Sequence, residues 1–237
     1  MSKQDNIHAG HRKRLKERYL TEGLDNFNQI NVLELLLFYC VQRKDTNPLA
    51  HRLLERFGSI SDVLNASVEE LMQVDGVTDH IATFLSMISD LNRYYLVNNA
   101  TKVKIINTTE DTCKYITPFF ENRKKETVFL MCLDAKRKVI CCKNMGEGCV
   151  NSANISIRKI VETAINANAT SIVLAHNHPG GLAFPSTEDL QTTLQIACAL
   201  KLVDIILADH VIVADGDSVS LLQSGYKVFE HEQGVRA

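Results

Sequence analysis

A short apolar run that ends in two closely spaced histidines limits the fold of this chain most tightly. Residues 171–175 (Ser-Ile-Val-Leu-Ala) predict a buried β-strand, and His176-Asn177-His178-Pro179 follows directly. Side chains two places apart in an extended chain share one face, so the two imidazoles project side by side. Asp189 falls in the first turn of a helix predicted over residues 187–201. Two imidazoles and a carboxylate can hold Zn²⁺ and leave a fourth position for water, which is the layout of a catalytic rather than a structural site.

The chain after residue 107 alternates between strand and helix patterns. Strands are predicted over residues 127–133, 138–143, 171–175, 203–207, 211–213 and 218–221, and helices over residues 155–168 and 187–201. This order predicts an α/β (α+β) domain in which a mixed sheet is sandwiched by helices.

The front of the chain is helical in pattern throughout residues 11–98. Asn47-Pro48 predicts an N-cap with proline at the first helical position, opening a helix that stops at Gly58. Ser67 and Glu70 have the spacing of a capping box, and the last helix is predicted over residues 78–95.

The polar stretch that follows these helices is the best domain boundary. We therefore expect a small all-helical domain at residues 1–98, a linker at residues 99–107 and a metal-binding domain at residues 108–229.

The histidine segment resembles the JAMM (MPN+) metalloprotease signature, which is His-x-His-Pro, six residues, Ser, two residues and Asp. Ser186 and Asp189 complete it at the required spacing. Other stretches of the chain are similar to the bacterial RadC family (UPF0758), namely residues 11–15, 33–36, 45–50, 53–59, 175–181, 185–186 and 209–213. The resemblance implies a JAMM/MPN-like domain with Zn²⁺ on His176, His178 and Asp189, preceded by a helix-hairpin-helix-like domain.

The three ligands do not include a group that accepts and returns a proton. In JAMM enzymes a glutamate near the start of the domain does this, and the resemblance assigns the role to Glu126, directly ahead of the first strand. Glu147, at the exit of the second strand, is the competing candidate. A solvated surface glutamate is the ordinary alternative for each.

Two further polar residues are assigned by the same resemblance. Ser186 is expected to help hold the oxyanion of a tetrahedral intermediate, and capping of the following helix is an alternative that does not exclude this role. His210 is placed near the site, either orienting a ligand, contacting substrate or lying in the core, while a direct ligand role is not favoured.

Composition excludes several other classes of protein. The net charge of −2 gives no global attraction to nucleic acid or membranes, and no long apolar run or secretory signal is visible. The seven cysteines lack a disulfide pattern, so we expect a cytoplasmic protein, in which Cys132, Cys141, Cys142 and Cys149 act mostly as small buried hydrophobes.

DNA is the main alternative partner. Residues 71–78 resemble a helix-hairpin-helix turn, but Asp75 and Thr78 weaken phosphate binding, so this hairpin is expected to pack helices. A basic segment is the stronger candidate for nucleic-acid contact, although a solvated helix face is its ordinary interpretation. Its basic residues are Arg12, Lys13, Arg14, Lys16 and Arg18.

These observations predict a zinc-dependent hydrolase that cleaves a peptide or isopeptide bond in a peptide or protein substrate. The alternative is a DNA-associated binding protein of the RadC family in which the metal site is structural or vestigial. A nuclease or deaminase is disfavoured, because a second acidic cluster and the cysteine ligands of zinc deaminases are missing.

Overall fold

A computed structural model describes residues 5–42, 44–148 and 156–226. The chain divides into two compact units between Asn92 and Arg93. The helices up to this division are α1 (Asp5–Glu22), α2 (Gln29–Cys40), α3 (Asn47–Phe57), α4 (Ile60–Asn65), α5 (Val68–Leu71) and α6 (Asp79–Ala100).

Local capping chemistry sets the ends of several of these helices. Ser59 caps α4, and Ser67 with Glu70 forms the predicted capping box of α5. Gly58 ends α3 at a φ of 89°, a conformation that favours glycine. The prediction of Asn47 as an N-cap was wrong by one residue, because Thr46 is the N-cap of α3 and Asn47 is already helical.

The last helix of this region is longer than predicted. α6 continues to Ala100, so the polar residues Asn98 and Asn99 are helical. Polarity alone did not end the helix, since polar residues are tolerated on an exposed helix face.

The second unit is built on a five-stranded sheet in the described part of the chain. Its strands are β1 (Thr127–Leu133), β2 (Val139–Glu147), β3 (Ser171–Asn177), β4 (Ile206–Ala214) and β5 (Asp217–Ser220), in the order β2-β1-β3-β4-β5. Only the β3–β4 pair is parallel, so the predicted mixed sheet is confirmed.

Helices cover both faces of this sheet. Helices α8 (Ile157–Asn166) and α9 (Thr187–Lys201) pack against the face that carries Leu130, Leu174 and Ile212. Helix α7 (Thr109–Ile116) and the 3-10 helix Thr117–Phe120 cover the opposite face. The first of these faces also carries both ligand histidines.

Two elements of the second unit differ from the prediction. Helix α7 was missed, although Thr108 and Asp111 form a capping box at its start. Residues 206–207 and the strand predicted at residues 211–213 belong to one strand, β4, because its polar residues Asp209 and His210 are buried with hydrogen-bond partners; residues 203–205, predicted as strand, precede it. The helix predicted over residues 155–168 begins at a residue outside the described part of the chain, and Cys149 also lies outside it.

We expect Leu130→Ala to lower the free energy of unfolding by about 2–5 kcal/mol, because it opens a cavity among fully buried side chains. Ile140→Ala, on the edge strand β2 with 43% of its surface exposed, is the control and should cost less than about 1 kcal/mol. Urea denaturation measures both values. Equal effects of the two substitutions would contradict the burial of β1.

Candidate metal centre

Strand β3 and the residue that follows it place the two histidine rings next to each other. His176 is buried at 2% exposure, and the His178 backbone N–H donates to the Val213 carbonyl at 2.8 Å. This bond continues the β3–β4 pairing one residue beyond the strand. The two Nε2 atoms therefore meet at 2.9 Å, with 17% of the His178 side chain exposed.

The start of α9 holds the carboxylate against these rings. Ser186 is the N-cap: its hydroxyl accepts from the Asp189 N–H at 3.1 Å and donates to Asp189 Oδ2 at 2.7 Å. The Ser186 backbone N–H donates to the same oxygen at 2.8 Å. Asp189 Oδ1 then lies 3.2 Å from His176 Nε2, and Oδ2 lies 3.4 Å from His178 Nε2.

The charge state of Asp189 suits cation binding. Burial raises the pKa of this carboxyl, but its interactions with His176 and Ser186 outweigh the burial and hold the pKa well below its ordinary value. Asp189 is therefore a carboxylate, although only 3% of its surface is exposed.

The spacing of these atoms fits a zinc ion. Tetrahedral ligand atoms at about 2.0–2.1 Å from Zn²⁺ lie about 3.3 Å from one another. Here the two Nε2 atoms are 2.9 Å apart, His176 Nε2 is 3.2 Å from Asp189 Oδ1, and His178 Nε2 is 3.4 Å from the other carboxylate oxygen, Oδ2. His176, His178 and Asp189 are thus brought together as predicted, in a cluster able to hold a metal ion.

The loop between β3 and α9 is hydrogen-bonded to the His178 ring. His178 Nδ1 lies 3.1 Å from the Leu182 carbonyl, which only accepts, so Nδ1 carries the proton and Nε2 offers a lone pair to the site. Ala183 is buried, whereas Leu182 and Phe184 expose 75% and 68% of their surfaces. The loop that follows His178 therefore exposes two large apolar side chains, which were not singled out from the sequence.

His210 lies behind His176. Its Nε2 is 2.8 Å from His176 Nδ1, and only 2% of the residue is exposed. Burial lowers the pKa of His210 well below its ordinary value, with the neighbouring His176 acting in the same direction. Of the roles considered for His210, its position fits an orienting partner of a ligand and does not permit contact with substrate.

Asn177, between the two histidines, holds the segment that contains Glu126. Its Oδ1 accepts from the Thr127 N–H at 2.7 Å, and its Nδ2 donates to the Lys125 carbonyl at 3.3 Å. The described β1–β3 pairing ends at Val128 and His176, and Glu126 is the residue directly before β1. Glu126 is half-buried there.

Glu147 has different surroundings. It pairs with Thr127, and adjacent strand residues alternate in direction, so Glu147 is on the face opposite Val128 and His176. Its carboxylate is in an ion pair with Arg123 at 2.6 Å. This arrangement favours Glu126 over Glu147 as a base.

None of the cysteines that the structure describes in this unit belongs to the candidate metal cluster. Burial raises the pKa of Cys132 to about 12 and also raises that of Cys142. Cys132 is fully buried, and Cys141 and Cys142 pack against the two sheet cores. Their surroundings fit small apolar side chains.

The basic side chains of α1 contact their own chain in several places. The contacts are Arg12 over Phe38 at 4.7 Å, Lys16 over Tyr39 at 5.0 Å, Arg18 over Phe27 at 4.6 Å and Lys13 to Glu17 at 3.7 Å. Arg14 is exposed. In the hairpin, Leu71 and Val74 are buried in the helical core and the Asp75 carbonyl accepts from Arg52 at 2.9 Å.

Within the described residues, no helix combines the length and apolar character that a membrane crossing requires.

Comparison with known proteins agrees with the resemblance carried by the motifs. Residues 106–226 match the family described as the RadC-like JAB domain. A UPF0758 protein of Fusobacterium nucleatum is 33% identical over 232 residues, which cover 95% of this chain and 99% of that relative. A UPF0758 protein of Ruegeria pomeroyi is 31% identical over 216 residues, which cover 91% of this chain and 96% of that relative. The chain therefore belongs to the RadC (UPF0758) family, and its second unit carries the RadC-like JAB domain.

Proposed function

We propose that this protein is a zinc-dependent hydrolase that cleaves peptide or isopeptide bonds. The observation that carries the proposal is the cluster of His176, His178 and Asp189, in which one ligand atom of each residue lies within 4.8 Å of the others, within a JAB domain. One protein ligand fewer than a structural zinc site uses leaves a position for water.

The residues at and around the cluster have separate roles in the proposed reaction. His176, His178 and Asp189 would hold the ion, which when bound supplies an activated water and polarises the substrate carbonyl. Glu126 accepts a proton from the attacking water and returns it to the leaving amine. Asn177 supports this role by holding the backbone on both sides of Glu126, through its bonds to the Thr127 N–H and the Lys125 carbonyl.

Ser186 holds the ligand Asp189 through both its N–H and its hydroxyl. The proposed assistance to an oxyanion would require the hydroxyl to turn away from Asp189 Oδ2, since a hydroxyl has one proton to donate. Oxyanion assistance therefore competes with the donation to Asp189 Oδ2 but not with N-capping, in which the Ser186 hydroxyl accepts from the Asp189 N–H.

The DNA-binding alternative has weaker support. Contacts of Arg12, Lys16 and Arg18 with aromatic rings of the same unit reduce the freedom of the basic segment to follow a phosphate backbone. No observation at the hairpin favours a bound phosphate over the helix packing described above.

We expect the purified protein to hold about one zinc per chain and His178→Ala to lose it, because removal of one of three protein ligands leaves an incomplete site. Elemental analysis after zinc reconstitution and dialysis measures this. His51→Ala, in the helical unit, is the control and should keep the metal. Absence of zinc from the reconstituted wild-type protein would overturn the proposal.

We expect Glu126→Gln to retain zinc and to lower kcat by about 10²–10⁴-fold, because the amide cannot accept the proton. Glu147→Gln is the matched control and should keep most of the activity, since Glu147 is on the other face and paired with Arg123. Turnover of a peptide and isopeptide substrate set provides the measurement. Full activity of Glu126→Gln combined with loss in Glu147→Gln would reverse the assignment.

We expect substrates with a large apolar side chain beside the scissile bond to be preferred, because Leu182, whose carbonyl contacts His178, and Phe184 in the same loop expose apolar surface. Replacing both by serine should lower kcat/KM for such peptides by ~10-fold and leave zinc content unchanged. Leu202→Ser, 87% exposed at the far end of α9, is the control. An unchanged preference in the double variant would remove this loop from substrate binding.

A further inference from the structure

A continuous line of hydrogen bonds joins one ligand of the cluster to the helix that carries another. His176 Nδ1 lies 2.8 Å from His210 Nε2, and His210 Nδ1 lies 2.6 Å from Thr193 Oγ1. Thr193 Oγ1 lies 2.5 Å from the Asp189 backbone carbonyl, one turn earlier on α9. All four residues have exposures of 3% or less, so water does not compete for these contacts.

The Asp189 carbonyl at the end of this line determines which atom donates in each of its hydrogen bonds. A carbonyl oxygen only accepts, so the short contact to Asp189 requires the single hydroxyl proton of Thr193. Thr193 Oγ1 must then accept in its second contact. The donor of that contact is the N–H at His210 Nδ1.

The same reasoning continues to the cluster. A neutral His210 that is protonated at Nδ1 offers a lone pair at Nε2, which accepts from His176. His176 therefore carries its proton at Nδ1 and has its lone pair at Nε2. That nitrogen is the one that faces His178 and Asp189.

We infer that Thr193 and His210 are positioning residues that fix the tautomer of His176 and so present Nε2 to the metal. The inference rests on the proposed metal site. Helix α9 then acts on the site twice, since its Asp189 side chain is one ligand and its Asp189 carbonyl orients a second ligand through Thr193 and His210. Partners of this kind change metal affinity although they do not touch the metal.

The chain offers a matched set of variants. Thr193→Val keeps the shape of the side chain but neither donates nor accepts, while Thr193→Ser restores the hydroxyl. Thr192→Val is the control: Thr192 is 4% exposed on the same helix, and its hydroxyl has no hydrogen-bond partner among the described residues.

The experiment is zinc affinity by competition with a chromophoric chelator, on all three variants and the wild-type protein. We expect Thr193→Val to weaken zinc binding by about 10–100-fold, with Thr193→Ser and Thr192→Val close to wild type. Wild-type affinity in Thr193→Val, or an equal loss in Thr192→Val, would overturn the inference.

A spectroscopic measurement on the unaltered protein removes the dependence on variants that fold. Long-range ¹H–¹⁵N correlation spectra identify the protonated nitrogen of each imidazole, and we expect Nδ1 for His210 with and without zinc and Nδ1 for zinc-loaded His176. A proton on His210 Nε2 would overturn the inference even if zinc binds. Failure of the wild-type protein to bind zinc would instead overturn the proposed function. The His210 tautomer would still show which atoms donate in the hydrogen bonds from His176 to Thr193.

Discussion

The pairing of β3 with a strand on each side is the constraint on which the site depends. β1 runs antiparallel to β3 and sets Val128 opposite His176, whereas β4 runs parallel and sets His210 opposite Leu174. The β3–β4 register places His210 where its ring contacts His176, and the β1–β3 register places Thr127, which follows the base candidate Glu126, where its N–H bonds to Asn177. A shift of one residue in either pairing would turn the side chains of that strand to the opposite face.

The second constraint is the capping box at the start of α9. Capping satisfies backbone N–H groups that every helix leaves free at its first turn, and here the capping carboxylate is also a ligand of the candidate metal centre. Since Ser186 holds Asp189 Oδ2 with two donors, Oδ1 is left directed at His176. The geometry of the carboxylate is therefore fixed by helix formation itself, before any ion binds.

Much of this could be predicted from local sequence patterns. The strand before His176, the helix that begins after Ser186 and the capping boxes at Ser67 and Ser186 all follow from short-range signals. The choice between Glu126 and Glu147 could not be made in that way, because both are next to strands and only the register of β1 with β2 and β3 separates their faces. Helix α7 was missed for a related reason, since its eight residues give a short periodic pattern.

The polar pair Asp209-His210 shows why β4 was divided in two by the sequence pattern. Neighbouring residues of a strand point to opposite faces, so each of these side chains must be satisfied on its own side of the sheet. Asp209 accepts from the Ser220 hydroxyl at 2.6 Å and the Leu222 N–H at 3.1 Å, which ties β4 to the end of β5, although burial still raises its pKa. His210 is satisfied by His176 and Thr193 on the side of the metal centre. The strand tolerates two buried polar residues because Asp209 bonds to the end of β5 and His210 bonds to the candidate metal ligand His176. A hydrophobicity pattern along the sequence does not reveal such partners, because they lie on other elements.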